Sequence, residues 1–172
     1  KLKGTYGALY SAKDFIKSDN FLVFYGDDYL PSYNSSNELI KKFYQTGKMQ
    51  VLIKKEDNLP NVGIVKIDQD NYLENLVKKE ENNSHAILLG RMLLNKKIFD
   101  IKEKLTKHSN DEFYLSYALL FFKKKVLTIK YNGEYFNIGE KLGYIKASIY
   151  DIINSDKKNE LITFINSILE RR

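Results

Sequence analysis

Apolar positions along the chain alternate between helical and strand-like spacing. In residues 5–16, Ala8, Leu9, Ala12, Phe15 and Ile16 recur at helical intervals. Residues 21–25 form a short continuous apolar run, the pattern of a buried strand, which stops at Gly26-Asp27-Asp28. Ser35 and Glu38 have capping-box spacing ahead of Leu39, Ile40, Phe43 and Tyr44 and predict a second helix. Residues 49–53 predict another strand. The period then changes. Residues 62–67 and 72–77 read as two strands joined by the polar turn 68–71, and residues 85–94 as a longer strand interrupted at Gly90-Arg91. A short helix is expected over 98–105. Ser109 and Glu112 repeat the capping-box spacing before a helix reaching about residue 120. Residues 126–131 and 134–136, separated by Asn132-Gly133, carry the strongest hairpin signal. Two helices, 139–153 and 157–169, finish the chain. Early alternation of helix and strand followed by hairpin-like strands predicts a largely parallel α/β sheet with an inserted antiparallel element. No internal repeat, low-complexity tract or Pro-rich linker divides the chain, so one domain over 1–172 is expected.

Composition narrows the classes. Hydrophobic residues make up 43%, enough to build a core. No window approaches the roughly 18 consecutive apolar residues of a membrane span, so no membrane association is expected. Cysteine is absent, which excludes disulfides, zinc–thiolate sites and thiol catalysis. With no signal peptide visible, the expectation is a cytoplasmic protein. The net charge of +6 fits either nucleic acid or a phosphorylated small molecule. The lysines are scattered among Asp and Glu, and only Lys123-Lys124-Lys125 forms a run, read as solvated surface. No aromatic-basic recognition motif accompanies the charge, so nucleic acid is not an expected partner. The chain begins at Lys1 without Met, and a helical pattern starts almost at once, which is expected of a chain incomplete at its N-terminal side.

Four local patterns can carry chemistry, each beside a plainer use. The strand ending in Gly26-Asp27 would put a carboxylate at the C-terminal edge of a parallel sheet, where ligands bind and where hard oxygen donors suit Mg²⁺. Gly and Asp are equally favoured in an ordinary strand-to-loop turn. Gly4-Thr5-Tyr6-Gly7-Ala8 offers free backbone amides at a helix start, or is simply that start. Asn137, in Phe136-Asn137-Ile138-Gly139, either faces a site or caps the next helix. Lys78-Lys79-Glu80-Glu81 either meets a phosphate or is a solvated strand end. His85 and His108 lack partners at metal or nucleophile spacing and read as structural or surface residues.

In order, these pieces resemble the bacterial and archaeal UTP–glucose-1-phosphate uridylyltransferases, within the sugar-phosphate nucleotidyltransferases. GTYGALYSAKDFI is similar to the family's GTAGAL-type helix start, and FLVFYGDDYL to its strand ending in Gly-Asp-Asp. NVGIVKID resembles the YGVV-type strand of the sugar pocket. LVKKE stands where the family has VEKP, ILLGRMLL resembles GRYIL, and NDEFYLSYALL takes the place of GEIQLTDAI. FNIGEKLGYIKASI is similar to YDIGDKLGYLKA.

The resemblance implies a Rossmann-like nucleotidyltransferase fold: a mixed, mostly parallel sheet with helices on both faces and an antiparallel sugar-side element. It implies transfer of a uridylyl group from UTP to glucose-1-phosphate, giving UDP-glucose and pyrophosphate, with Mg²⁺ as cofactor and a homo-oligomer as a possible assembly. The alternatives are a sister enzyme using dTTP or GTP and a non-catalytic sugar-nucleotide-binding homologue. By position, Gly4 would meet the base, Gly26 the ribose, and Asp27 the metal. Gly63 would approach the glucose, Lys79 would bind the sugar phosphate, and Asn137 stands where the family has a second metal-binding Asp. Lys78 occupies the place of a Glu that hydrogen-bonds sugar hydroxyls, Glu80 that of Pro, and Tyr117 that of an acid. The family's glycine-rich phosphate loop has no counterpart here, so this chain is not expected to catalyse the reaction alone.

Overall fold

The computed structural model describes residues 3–31, 34–55, 63–77, 86–107 and 111–170. They form two compact units. Unit 1 comprises Lys1–Phe24 and Asn34–Asn132; unit 2 comprises Tyr25–Tyr33 and Gly133–Arg172.

Unit 1 is built on a four-stranded sheet. Its strands are β1 (Asn20–Phe24), β3 (Met49–Lys55), β6 (Ala86–Asn95) and β7 (Val126–Lys130), in the order β1-β6-β3-β7. β6 pairs antiparallel with β1 and with β3, and β3 pairs parallel with β7. Thus β1, β3 and β7 run one way, and β6 runs back between β1 and β3. The expected mixed α/β class is present, and the mixing comes from that one reversed central strand. β6 and β3 hold the core: Val51, Leu52, Leu89, Met92 and Leu94 are fully buried. Each such side chain contributes about 1.5–3 kcal/mol by leaving water. Helix α2 (Ser35–Thr46) packs through fully buried Leu39 on β3 and β6. β4 (Val65–Ile67) and β5 (Leu73–Leu76) form the expected antiparallel pair, its turn fixed by Asp68 Oδ1 accepting from the amides of Asp70 and Tyr72.

Helix α1 (Gly4–Ser11) is stitched to the segment before α3 (Leu115–Leu119). The Tyr6 amide donates to the Phe113 carbonyl at 2.9 Å, the Phe113 amide to the Lys3 carbonyl at 3.0 Å, and the Leu115 amide to Thr5 Oγ1 at 2.9 Å. Those bonds hold Tyr114 extended, so α3 begins later than the sequence pattern predicts. Ser109 and His108 of that pattern lie outside the described residues, as does His85.

Three other expectations are corrected. The helix predicted over 98–105 is a pair of 3₁₀ turns, Lys96–Phe99 and Lys102–Lys104, the first opened by Asn95 Oδ1 accepting from the Lys97 amide. Ser35 is the first residue of α2 rather than its cap, so the Ser35–Glu38 capping box is not used; Asn34 precedes it and makes no side-chain cap bond. The hairpin across Asn132-Gly133 does not form. β7 continues along β3, with the Tyr131 amide donating to the Ile53 carbonyl at 2.7 Å, and the chain then passes into unit 2.

Unit 2 holds a two-residue ribbon and two helices. β2 (Asp28–Tyr29) pairs antiparallel with β8 (Phe136–Asn137), Asp28 opposite Asn137 and Tyr29 opposite Phe136. The ribbon lies on α4 (Lys141–Ile153), which packs against α5 (Lys158–Leu169). The Phe136 and Tyr150 rings are 5.4 Å apart, and the Tyr29 hydroxyl contacts both carboxylate oxygens of Asp151, at 2.8 and 2.7 Å. No helix among the described residues is long and apolar enough to cross a membrane.

Candidate functional site

The chain leaves the carboxyl end of β1 at Phe24 and enters Tyr25-Gly26-Asp27. Gly26 and Asp27 are both exposed. Asp27 is tied to the other strand of the ribbon by its backbone: the Ile138 amide donates to the Asp27 carbonyl at 2.8 Å. That bond extends the Asp28–Asn137 pairing by one residue and sets Asp27 beside Asn137.

The two side chains converge. A methyl built on Gly139 would lie 3.1 Å from Asn137 Oδ1 and 3.2 Å from Asp27 Oδ2. A carboxylate oxygen and a carboxamide oxygen, far apart in sequence, thus share one small volume kept open by the absence of a side chain at Gly139. Asn137 Oδ1 is held there by the Gly139 amide, which donates to it at 3.0 Å. A carbonyl oxygen has a second lone pair, so this bond orients the group without exhausting it. Asp28 points elsewhere: its Oδ1 accepts from the Tyr135 hydroxyl at 3.1 Å, within unit 2.

Behind the pair, α4 sits directly on β8. Gly143 lies so close to Asn137 that a Cβ on it would be 1.8 Å from the Asn137 carbonyl oxygen. The segment that runs from the β8 strand into α4 therefore combines Asn137, an open Gly139 and a contact-making Gly143. Sequence reasoning singled out Asn137, noted Gly139 beside it without a role and passed over Gly143; their signal was their spacing from Asn137 within Asn137-Ile138-Gly139 and Leu142-Gly143-Tyr144.

The donor set fits a magnesium ion. Mg²⁺ takes hard oxygens, uses only one or two protein carboxylates and fills its remaining positions with water and substrate phosphates. Among the described residues no group of three or more His, Cys, Asp or Glu converges, so an ion here would draw on Asp27, Asn137 and bound phosphates.

The other expected residues lie in unit 1 or outside the described residues. Gly4, at the start of α1, has φ +79°, and a Cβ on it would sit 2.6 Å from the Phe113 carbonyl oxygen. Its close approach is to its own chain. Gly63 is exposed, with its carbonyl accepting from the Leu88 amide at 2.8 Å. It runs beside the first part of β6, towards the end of the sheet where β3 finishes. Lys78 and Lys79 lie outside the described residues. A cleft of about 590 Å³ opens between α2 and β7, flanked by Lys41, Lys42, Asp70 and Lys130, and none of the expected site residues lines it.

Known proteins share this architecture. The chain is 28% identical to UTP–glucose-1-phosphate uridylyltransferase 2 of Staphylococcus saprophyticus, over 96% of this chain and 62% of that protein. It is 32% identical to the bifunctional protein GlmU of Methanocaldococcus jannaschii, over 94% of this chain and 39% of that protein. A crystal structure of UDP-glucose pyrophosphorylase complexed with UDP-glucose superposes with a TM-score of 0.79 at 21% identity, covering 90% of this chain and 64% of that one. The chain thus spans a little under two thirds of the Staphylococcus saprophyticus protein and about two fifths of the Methanocaldococcus jannaschii one. The sequence pattern of the nucleotidyl transferase family matches residues 1–153, and with the same α/β fold in its structural neighbour the chain belongs to that family.

Proposed function

We propose that the full-length protein transfers a uridylyl group from UTP to glucose-1-phosphate, giving UDP-glucose and pyrophosphate. The observation that carries this reading is the convergence of Asp27 Oδ2 and Asn137 Oδ1 on one point beside Gly139. The name of the Staphylococcus saprophyticus relative supports the choice of substrates. In the transfer, a phosphate oxygen of glucose-1-phosphate bonds to the α-phosphorus of UTP. The bond from that phosphorus to the bridging oxygen breaks, and pyrophosphate leaves with the electron pair.

In this reading Asp27 and Asn137 would hold Mg²⁺. The bound ion supplies charge neutralisation and Lewis acidity. The protein groups position the two phosphates and neutralise charge, which is most of what such transfers require. Gly4 and Gly26 meet the nucleotide, Gly63 the sugar, and Lys79, with Lys78 beside it, the sugar phosphate. Lys79 and Asp27 act on the reacting groups. A neutral Asn at 137 offers an oxygen with less charge than a carboxylate, so metal affinity leans on Asp27.

The test is pyrophosphate release by the full-length protein with glucose-1-phosphate, Mg²⁺ and a panel of nucleoside triphosphates. Preference for UTP is expected. Release with dTTP or GTP but not UTP would make it a sister enzyme. No release with any of them would leave only the non-catalytic reading.

A further inference from the structure

The segment bearing Gly26 and Asp27 leaves unit 1 after Phe24 and rejoins it at Asn34. One side chain grips both ends. Arg91 stands directly opposite Phe24 in the β1–β6 ladder, with its guanidinium carbon 4.9 Å from the centre of the Phe24 ring. The same guanidinium donates to Oγ of Ser35, the first residue of α2, at 2.7 Å. Ser35 is only 1% exposed, so this part-buried bond is shielded from water on the Ser35 side.

The backbone of β6 is shaped to aim that side chain. The β1–β6 register is continuous from Asn20 opposite Asn95 to Phe24 opposite Arg91. On the other side of the same strand, the β3–β6 register shifts between Val51 opposite Met92 and Ile53 opposite Leu88. The irregularity therefore falls on Leu89-Gly90-Arg91. Bulges of this kind re-aim a side chain and are frequent next to functional sites. The strand interruption expected at Gly90-Arg91 is realised as this bulge within a continuous strand. A guanidinium suits the double contact, because it can stack its planar face on a ring while donating from its edge. The compact ammonium of a lysine cannot do both.

We infer that Arg91 is a positioning residue for the segment 25–31. It fixes the point where the segment leaves unit 1, at Phe24, three residues before Asp27, and the point where α2 resumes, at Ser35. The inference deepens the proposed function, on which it rests for what Asp27 does; the restraint itself stands without it.

The test is hydrogen exchange on the full-length protein carrying Arg91→Met or Arg91→Lys. A charged hydrogen bond and a cation–π contact together are worth about a factor of ten or more in opening. The amides within residues 25–31, those of 25–30 because Pro31 has none, should therefore exchange about tenfold faster in both variants, while those of residues 50–53 in β3 keep their protection. The Mg²⁺ concentration giving half-maximal pyrophosphate release should rise, by about tenfold or more as for other residues that orient metal ligands, while KM for glucose-1-phosphate changes by less than about twofold. Unchanged exchange over 25–31 in Arg91→Met overturns the inference. If Arg91→Met also loosens β3, the Arg91→Lys protein decides: loosening confined to 25–31 supports the inference, and unchanged or uniform loosening overturns it. A protein that shows the exchange effect but no transferase activity leaves the restraint standing and removes the proposed function instead.

Discussion

Gly143 and Asn137 are in backbone-to-backbone contact: a Cβ at Gly143 would lie 1.8 Å from the Asn137 carbonyl oxygen and 2.8 Å from its carbonyl carbon. No rotamer relieves such a clash, because the obstacle is main chain. Gly143→Ala must push α4 away from β8. Alanine gains about 1 kcal/mol of helix propensity over glycine, and overpacking costs about 1–3 kcal/mol, more against a rigid backbone. A net loss of stability is expected. Thermal melting should show Tm lower by several degrees, at about 2–4 °C per kcal/mol for a chain of this size. An unchanged Tm would mean that α4 does not rest on Asn137 as described.

Gln50 is a second place where stability can be tested. It is fully buried on β3, its Nε2 donates to Thr46 Oγ1 at 3.3 Å, and its Oε1 has no hydrogen-bond partner among the described residues. An unsatisfied buried acceptor costs about 1–3 kcal/mol, whereas the long bond that would be lost is worth about 1 kcal/mol or less. Gln50→Met, close in shape and free of polar hydrogen-bonding demands, should leave Tm unchanged or raise it by a few degrees. A fall in Tm of more than a few degrees would show that Oε1 is satisfied.

Tyr6 links stability to alkaline pH. Its ring is fully buried and its hydroxyl donates to the Ile98 carbonyl at 3.0 Å. Burial, with smaller contributions from Tyr10 and Asp100, pushes its pKa from 10.0 to about 12. The folded chain therefore keeps this proton where the unfolded chain releases it. The associated stability is intact below pH 10 and is lost as pH rises from about 10 towards 12. Urea unfolding followed across that range should show a declining midpoint in the wild type. Tyr6→Phe should start lower by about 1 kcal/mol, from the lost hydrogen bond, and decline less steeply. Equal slopes in the two proteins would contradict the assignment.

The long elements were legible because each buries one regular face. β6 is mostly apolar, β3 carries the apolar run Val51-Leu52-Ile53, and α2, α4 and α5 carry helical spacing, so their locations follow from pattern alone. The parallel direction shared by β1, β3 and β7 followed from alternation with helices. What escaped was set by contacts between distant residues. β2 and β8 have two residues each, too few for any periodicity, and they exist because Asp28 meets Asn137. The Asn132-Gly133 hairpin failed because β3 offered β7 a longer parallel partner. Asp27 and Asn137 were each singled out, but that their oxygens meet beside Gly139 depends on the ribbon, which no local signal announces.

Asn137 offers a graded test of the site. Asn137→Asp places a second carboxylate beside Asp27, which strengthens binding of a dication. In the full-length protein, half-maximal activity should then need less Mg²⁺, by about tenfold for roughly 1.4 kcal/mol of added affinity. An unchanged Mg²⁺ requirement would remove Asn137 from the metal site.

Asp27 provides the most direct measurement. Asp27→Asn keeps the shape of the side chain and removes its charge. Pyrophosphate release from UTP and glucose-1-phosphate by the full-length protein, titrated with Mg²⁺, should fall by at least about 100-fold, as expected for loss of several kcal/mol of charge stabilisation. Turnover and Mg²⁺ dependence close to those of the unaltered protein would contradict the assignment of the Asp27–Asn137 pair as the metal site.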